Sequence, residues 1–242
     1  MILCIDIGNT KIKTAVFKNN VLVEKYIFDN NNLFEGLKTV FKTFPQIKNT
    51  ILCSVSTIDT TIYAFLENKS TVVFVTLKTR FPFTNDYETP STLGVDRKVV
   101  IAGAVLQYPS QNCLIIDTGT CITYDFVDAN KNYLGGAISP GISMRYKAMN
   151  QFTAKLPLLS TENPVSFIGK STHQCLHSGV VNGVVHEIDG FIADYLAKYQ
   201  HLTIILTGGD ALFLAKRLKN TIFAHSNFLL ESLHLLYQYN KK

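Results

Sequence analysis

Neither of the two commonest nucleotide-binding signatures occurs in this 242-residue sequence. A GxxxxGKS/T run and a GxGxxG run are both missing, which counts against P-loop and Rossmann readings. No CxxC or HExxH spacing is present either. The five cysteines, Cys4, Cys53, Cys113, Cys121 and Cys175, lie mostly in apolar strand-like runs and read as buried free thiols of a reducing compartment. His173 and His177 stand at i,i+4 on an expected helix, but no third ligand is evident, so they read as a solvated pair. Asp6 interrupts the first apolar run, which argues against a signal peptide, and no run approaches the ~20 residues that span a bilayer. No basic block precedes the final Lys241-Lys242, and the net charge is only +5. These absences predict a cytoplasmic protein with no nucleic-acid or membrane partner, and the mild positive charge suits a small anionic substrate. With 47% apolar and 17% charged residues, the chain can bury one large core or two modest ones.

What is present is a strand closed by an Asp-x-Gly turn, twice. The first copy runs Leu3-Cys4-Ile5-Asp6-Ile7-Gly8-Asn9-Thr10, the second Leu114-Ile115-Ile116-Asp117-Thr118-Gly119-Thr120, and 117 − 6 = 111 residues separate the aspartates. Each turn leads into a further strand-like run, Ile12 to Phe17 and Cys121 to Val127. Units of this kind can face each other across a cleft and offer backbone N–H groups and hydroxyls to a polyanion, so nucleotide phosphate is the first ligand expected.

The periodicities predict strands at 2–7, 12–17, 21–28, 50–55 and 71–76 in the first half, with Lys18-Asn19-Asn20 as a turn. Leu33, Leu37, Val40, Phe41 and Phe44 recur at helical spacing and Pro45 stops that helix; others are expected at 58–68 and 95–108. Residues 78–93 read as a long loop. The second half restarts with strands at 113–118, 121–127 and 133–138, then loop at 150–170, a long helix at 172–198, a strand at 202–207 and helices near 210–219 and 227–239. Both halves open with three strands before their helices, which supports an internal duplication.

Several residues carry two readings at this level. Asp6 can hold Mg²⁺ directly or through water beside a phosphate turn, or simply cap that turn. Lys13 can reach a phosphate as a point charge or be a solvated lysine on an alternating strand. Thr207-Gly208-Gly209 can let backbone approach an adenine or ribose, or be an ordinary turn. Gly94-Val95-Asp96-Arg97 sits where the long loop enters a helix: Asp96 is either a favourable charge at that helix N-terminus or a general base beside an arginine that binds a substrate carboxylate.

Taken as an ordered set, these motifs resemble the acetate and sugar kinase/Hsc70/actin superfamily and, within it, the type III pantothenate kinases. The matching segments are Asp6-Ile7-Gly8-Asn9-Thr10, Tyr87-x-x-Pro90-x-x-x-Gly94-Val95-Asp96-Arg97, Asp117-Thr118-Gly119-Thr120 and Gly135-Gly136-Ala137-Ile138-Ser139-Pro140-Gly141. Leu156-Pro157, Gly169-Lys170-Ser171-Thr172 and Thr207-Gly208-Gly209 continue the series. The resemblance implies duplicated actin-like (ribonuclease H-like) lobes, each a mixed sheet flanked by helices, with the active site in the cleft between them. Residues 1–110 would form the N-terminal lobe and 111–242 the C-terminal lobe with the last helix. It implies phosphorylation of pantothenate by ATP to 4'-phosphopantothenate, the opening step of coenzyme A synthesis. ATP contacts would come from Asp6, Ile7, Gly8, Asn9 and Thr10, from Lys11, Ile12 and Lys13, and from Thr120, Gly208 and Gly209. Tyr87, Gly94, Val95, Asp96, Arg97 and Thr172 would bind substrate, with Asp96 catalytic. Asp6 would support Mg²⁺ and Asp117 a monovalent cation, K⁺ or NH₄⁺. Family members are typically homodimers with the substrate site near the subunit contact, so Thr172 could serve either its own or the neighbour's site. Ser171 stands where many members have Asn. The rival readings are a kinase of the same fold acting on another hydroxy or carboxylate acceptor, and a nucleotide-binding transcriptional accessory protein.

Overall fold

The computed structural model describes residues 1–55 and 58–241, so Lys242 of the terminal lysine pair lies outside the described residues. In chain order the elements are β1 (Ile2–Ile7), β2 (Ile12–Lys18), β3 (Val21–Phe28), α1 (Leu33–Thr43), β4 (Asn49–Ser54), α2 (Thr60–Lys69), β5 (Thr71–Phe74), β6 (Thr84–Asn85) and α3 (Val95–Gln107). There follow β7 (Asn112–Thr118), β8 (Cys121–Val127), β9 (Asn132–Pro140), α4 (Ile142–Gln151), α5 (Thr172–His177), α6 (Gly183–Lys198), β10 (Leu202–Thr207), α7 (Ala211–Ala215), β11 (Phe223–Ala224) and α8 (Phe228–Lys241). A π-type segment, Ser178–Asn182, joins α5 to α6, so the long helix expected over 172–198 is one helical run with a wider turn in its middle.

The chain divides into two compact units. The first contains Met1–Ser110, Asn130–Leu134 and Asn227–Lys242, the second Gln111–Ala129 and Gly135–Ser226. A division at residue 110 places α8 with the second half, whereas α8 packs on α3, β1 and β4 of the first unit. The reason is its apolar face: Leu229, Leu230, Leu233 and Leu236 are all buried. Gly103 of α3 lets the two helices approach closely, since a Cβ there would lie 1.8 Å from the Ser232 hydroxyl. Residues 130–134 join the first unit because β6 pairs with the start of β9, Thr84 opposite Asn132 and Asn85 opposite Tyr133.

The first sheet runs β3-β2-β1-β4-β5, with β1–β2 and β2–β3 antiparallel and β1–β4 and β4–β5 parallel. The β2–β3 hairpin turns on Asn19 and Asn20, both at positive φ (51° and 64°), as a two-residue turn demands. One sheet face, with Leu3, Ile5, Ile7, Ile12, Val16 and Leu52, packs against Leu33, Leu37, Val40 and Phe41 of α1 and Leu66 of α2. The other face takes α8, whose His234 ring stacks on Phe17 with centroids 4.4 Å apart.

In the second unit the order is β9-β8-β7-β10-β11, with β7–β8 antiparallel and β7–β10 and β10–β11 parallel. Third, second, first, fourth and fifth strands thus occupy the same places in both sheets, as the duplicated pattern predicts. Its core joins Leu114, Ile116, Ile122 and Tyr124 to Val184, Ile188 and Ile192 of α6 and to Ile142 and Tyr146 of α4. Helix α4 and the two-residue strands β6 and β11 were not expected from the sequence pattern. Among the described residues, no helix is long and apolar enough to cross a membrane.

Candidate active site

The carboxylate of Asp6 leaves the end of β1, buried to 6% exposure, on the sheet face that receives α8. Pairing register puts Lys13 directly across from it on β2 and Cys53 directly across on β4. Since register partners share a face, Lys13, Asp6 and Cys53 form one row across three strands. The Cys53 thiol donates to Asp6 Oδ1 at 3.4 Å. Burial, then the negative charges of Asp6 and Asp96, push that thiol well up, so it stays protonated and remains a donor. The Asp96 charge is thus felt at the Cys53 thiol. After Asp6 the chain turns sharply, with Gly8 N–H donating to Lys11 O at 3.2 Å. Asn9 and Thr10 are exposed at the tip, whereas Ile7 and Ile12 are core residues that offer a ligand only backbone groups. Lys11 points elsewhere: its ammonium pairs with Asp29 at 2.6 Å on the surface.

Gly94 is the N-cap of helix α3, and Asp96 lies in its first turn, where a negative charge is favoured. The Asp96 carboxylate folds back, accepting from Arg97 N–H at 2.8 Å. A Cβ on Gly94 would sit 2.5 Å from Asp96 Oδ1, so any side chain there would displace the carboxylate. Lys98 anchors the preceding loop by donating to Pro90 O at 3.1 Å. Arg97 is 7% exposed, and its Nη2 donates to the Tyr133 hydroxyl at 2.9 Å. Its guanidinium lies 5.9 Å from the Tyr87 ring centre. Asp6 and Lys13 thus share one strand row, Asp96, Arg97 and Tyr87 share the α3 start, and all five belong to the first unit. Cys53 joins Asp6 through strand register and Tyr133 joins Arg97 of α3 through its hydroxyl, and neither lies in a sequence motif.

The second unit repeats the turn. Asp117 is the penultimate residue of β7, Gly119 N–H donates to Cys121 O at 3.0 Å, and Thr120 is exposed. Two other segments close on this turn. The Thr118 hydroxyl donates to Thr207 O at 2.7 Å and Asp210 N–H to Thr118 O at 3.1 Å. Gly208, at φ +100°, has no room for a side chain: a Cβ would fall 2.5 Å from Asp117 Oδ1 and 2.4 Å from Thr118 O. From the other side Gly141 N–H donates to Thr120 O at 3.0 Å, and a Cβ on Gly141 would meet Gly119 O at 2.2 Å. Gly209 is open and exposed. Asp210, adjoining the predicted Gly-Gly, has its carboxyl pushed up by burial. It too was missed, although it directly follows the motif.

Glu187 of α6 stands behind this turn, accepting from Ser139 Oγ (2.5 Å) and Tyr124 OH (2.9 Å) and pairing with Arg145 (2.5 Å), which also donates to Pro140 O. Thr172 opens α5, exposed, beside a Ser171 hydroxyl that accepts from Gln174 N–H at 3.3 Å, so serine serves as the N-cap at that position. Two expectations need correction. His177 is buried and shares a 2.8 Å hydrogen bond with Tyr146 OH, because the apolar stripe of α5 carries it inward, while His173 stays exposed. Cys175, on the opposite side of that helix, is exposed, and Cys121 is half-buried; Cys4, Cys53 and Cys113 are buried as expected, and all five thiols are free. No cluster of three or more His, Cys, Asp or Glu capable of holding a metal occurs among the described residues.

Comparison with known proteins places this geometry. The family model described as type III pantothenate kinase matches residues 2–194. A type III pantothenate kinase of Flavobacterium johnsoniae is 54% identical over 239 residues, covering 99% of this chain and 98% of that protein. Among solved structures, a conserved candidate Baf family transcriptional activator from Campylobacter jejuni superposes with TM-score 0.65 at 22% identity, covering 99% and 98% of the two chains. A glucokinase from an Antarctic psychrotroph shares the fold at TM-score 0.52 and 14% identity, covering 98% of each chain. Actin-like, sugar-kinase-type architecture and whole-length kinship agree: the chain belongs to the type III pantothenate kinase family.

Proposed function

We propose that this protein phosphorylates pantothenate with ATP, the first step of coenzyme A synthesis, and that Asp96 is its general base. The observation that carries the reading is kinship along the full chain at 54% identity. Arg97 binds the pantothenate carboxylate, with Tyr87 and the Gly94–Val95 backbone completing the acceptor site. Asp96 orients the primary hydroxyl for in-line attack on the γ-phosphorus and accepts its proton. In a loose transition state that proton leaves late, so alignment by Asp96 matters more than its basicity. The Gly8–Thr10 turn and Lys13 contact phosphate oxygens. Thr120 makes a further ATP contact, and Gly208–Gly209 backs the adenosine.

The donor set suits a divalent ion held chiefly by phosphate and water. Mg²⁺ needs only one or two protein carboxylates, so the lack of a multi-residue cage among the described residues is compatible with Asp6 in that role. Asp117 holds a monovalent cation. When bound, the two cations offset negative charge on the phosphoryl oxygens. Homodimerisation is supported by exposed apolar side chains at Phe152, Val165, Phe167 and Ile168, with Val165 at 88% and Phe167 at 77% exposure. The setting proposed is cytoplasmic.

Purified protein incubated with ATP, Mg²⁺ and pantothenate, with and without K⁺, tests the assignment. A product heavier than pantothenate by one phosphoryl group is expected. ATP consumption with a sugar or acetate in an acceptor panel, and none with pantothenate, would overturn it. A nucleotide-binding regulator is the rival favoured by the description of the Campylobacter jejuni neighbour. Specific DNA retention with a steep salt dependence, in a protein lacking turnover, would support that rival.

A further inference from the structure

Tyr133 belongs to no motif, yet it touches two of the residues assigned above to the acceptor, Arg97 and Tyr87. It is fully buried, and its ring contacts those of Phe83 (centroids 6.2 Å apart) and Tyr87 (6.0 Å, planes 28° apart). Its backbone carbonyl accepts from Asp86 N–H at 3.1 Å, the bond just before Tyr87. Register keeps Tyr133 opposite Asn85, whose side chain in turn accepts from Tyr87 N–H at 3.1 Å. The hydroxyl accepts from Arg97 Nη2 at 2.9 Å. A single side chain therefore ties the loop that carries Tyr87 to the helix start that carries Arg97. A buried tyrosine hydroxyl needs a partner, and a buried guanidinium needs acceptors that hold its plane. Each meets the other's requirement here.

We propose that Tyr133 is a positioning residue of the acceptor site, whose hydroxyl and ring set the guanidinium of Arg97 and the ring of Tyr87 to select an acceptor bearing a carboxylate. The inference rests on the reading that Arg97 binds that carboxylate. A hydrogen bond to a charged group contributes enough to move affinity by about tenfold or more. The ring contacts and strand pairing do not involve the phenol oxygen, so Tyr133→Phe removes the Arg97 contact and keeps the packing.

The test measures Tyr133→Phe with pantothenate and with its alcohol analogue, in which a hydroxymethyl replaces the carboxylate. KM for pantothenate is expected to rise about 5- to 20-fold, with kcat and KM for ATP within about twofold. KM for the alcohol analogue should barely move, so selectivity for the carboxylate falls. That ratio, taken within one preparation, is insensitive to any loss of folded protein. In a cycle with Arg97→Lys, the two effects should be clearly less than additive. An unchanged carboxylate selectivity in Tyr133→Phe, while Arg97→Lys and Arg97→Ala lose it, overturns the positioning role alone. If the Arg97 variants also keep their selectivity, the carboxylate reading itself falls. A purely structural role for Tyr133 would lower thermal stability and affect both acceptors equally, which also counts against the proposal.

Discussion

Asp96→Asn preserves an oxygen that can accept from Arg97 N–H and keeps the shape of the α3 start, but removes the proton acceptor. Turnover should fall at least ~100-fold, the lower range for general bases, while calorimetric ATP binding stays within about threefold. Near-normal turnover would remove Asp96 from the role. Gly208→Ala places a methyl where Asp117 Oδ1 and Thr118 N each lie 2.5 Å away, on a backbone at φ +100°. Strain and overlap together should cost about 2–4 kcal/mol in urea unfolding and weaken ATP binding. Wild-type stability with wild-type ATP affinity would mean that the three-segment junction has no such constraint. Both predictions concern residues visible in the sequence, because Asp-x-Gly and Gly-Gly turns spell their own backbone chemistry. Cys53 and Tyr133 stayed invisible: their significance lies in the tertiary partner each meets, Asp6 across a strand pair and Arg97 on α3, and neither residue type announces that.

Among the elements, Glu187 on α6 clamps the end of β9 and the start of α4 against the second turn. Burial alone would raise its carboxyl, but the hydrogen bonds from Ser139, Arg145 and Tyr124 outweigh it and hold the carboxyl below its usual 4.5. A depressed folded-state value means the ionised clamp stabilises the fold above about pH 4.5, and that contribution is lost as pH falls through the lower folded value. Melting temperature followed from pH 7 to pH 3 should therefore decline more steeply in the wild type than in Glu187→Gln. The variant should be less stable at pH 7 by about 1–3 kcal/mol, since Arg145 loses its charged partner. Parallel acid limbs would show that Glu187 carries no such linkage. Helix α4, which bears Arg145, escaped the periodicity reading because only Ile142 and Tyr146 of its residues are buried. A helix with so narrow an apolar contact leaves little pattern to detect. By contrast α1 repeats four buried positions at helical spacing and was legible at once.

At the level of the whole molecule, an exposed apolar surface predicts association. Phe167→Asp should convert a dimer to a monomer in sedimentation equilibrium, because a charge at a buried contact is strongly disfavoured. A wild-type protein that sediments as a monomer would remove the dimer reading, and with it the suggestion that Thr172 serves a neighbour's site. By itself the sequence determined the repeated succession of strands along the chain, the turn chemistry and the family, since these depend on local periodicity, backbone-specific glycines and an ordered set of short motifs. Tertiary structure decided which unit α8 completes, which thiol faces Asp6 and which tyrosine holds Arg97. Those choices depend on pairing register and on the shape of buried faces, and an apolar stripe specifies that it will be covered without specifying by what.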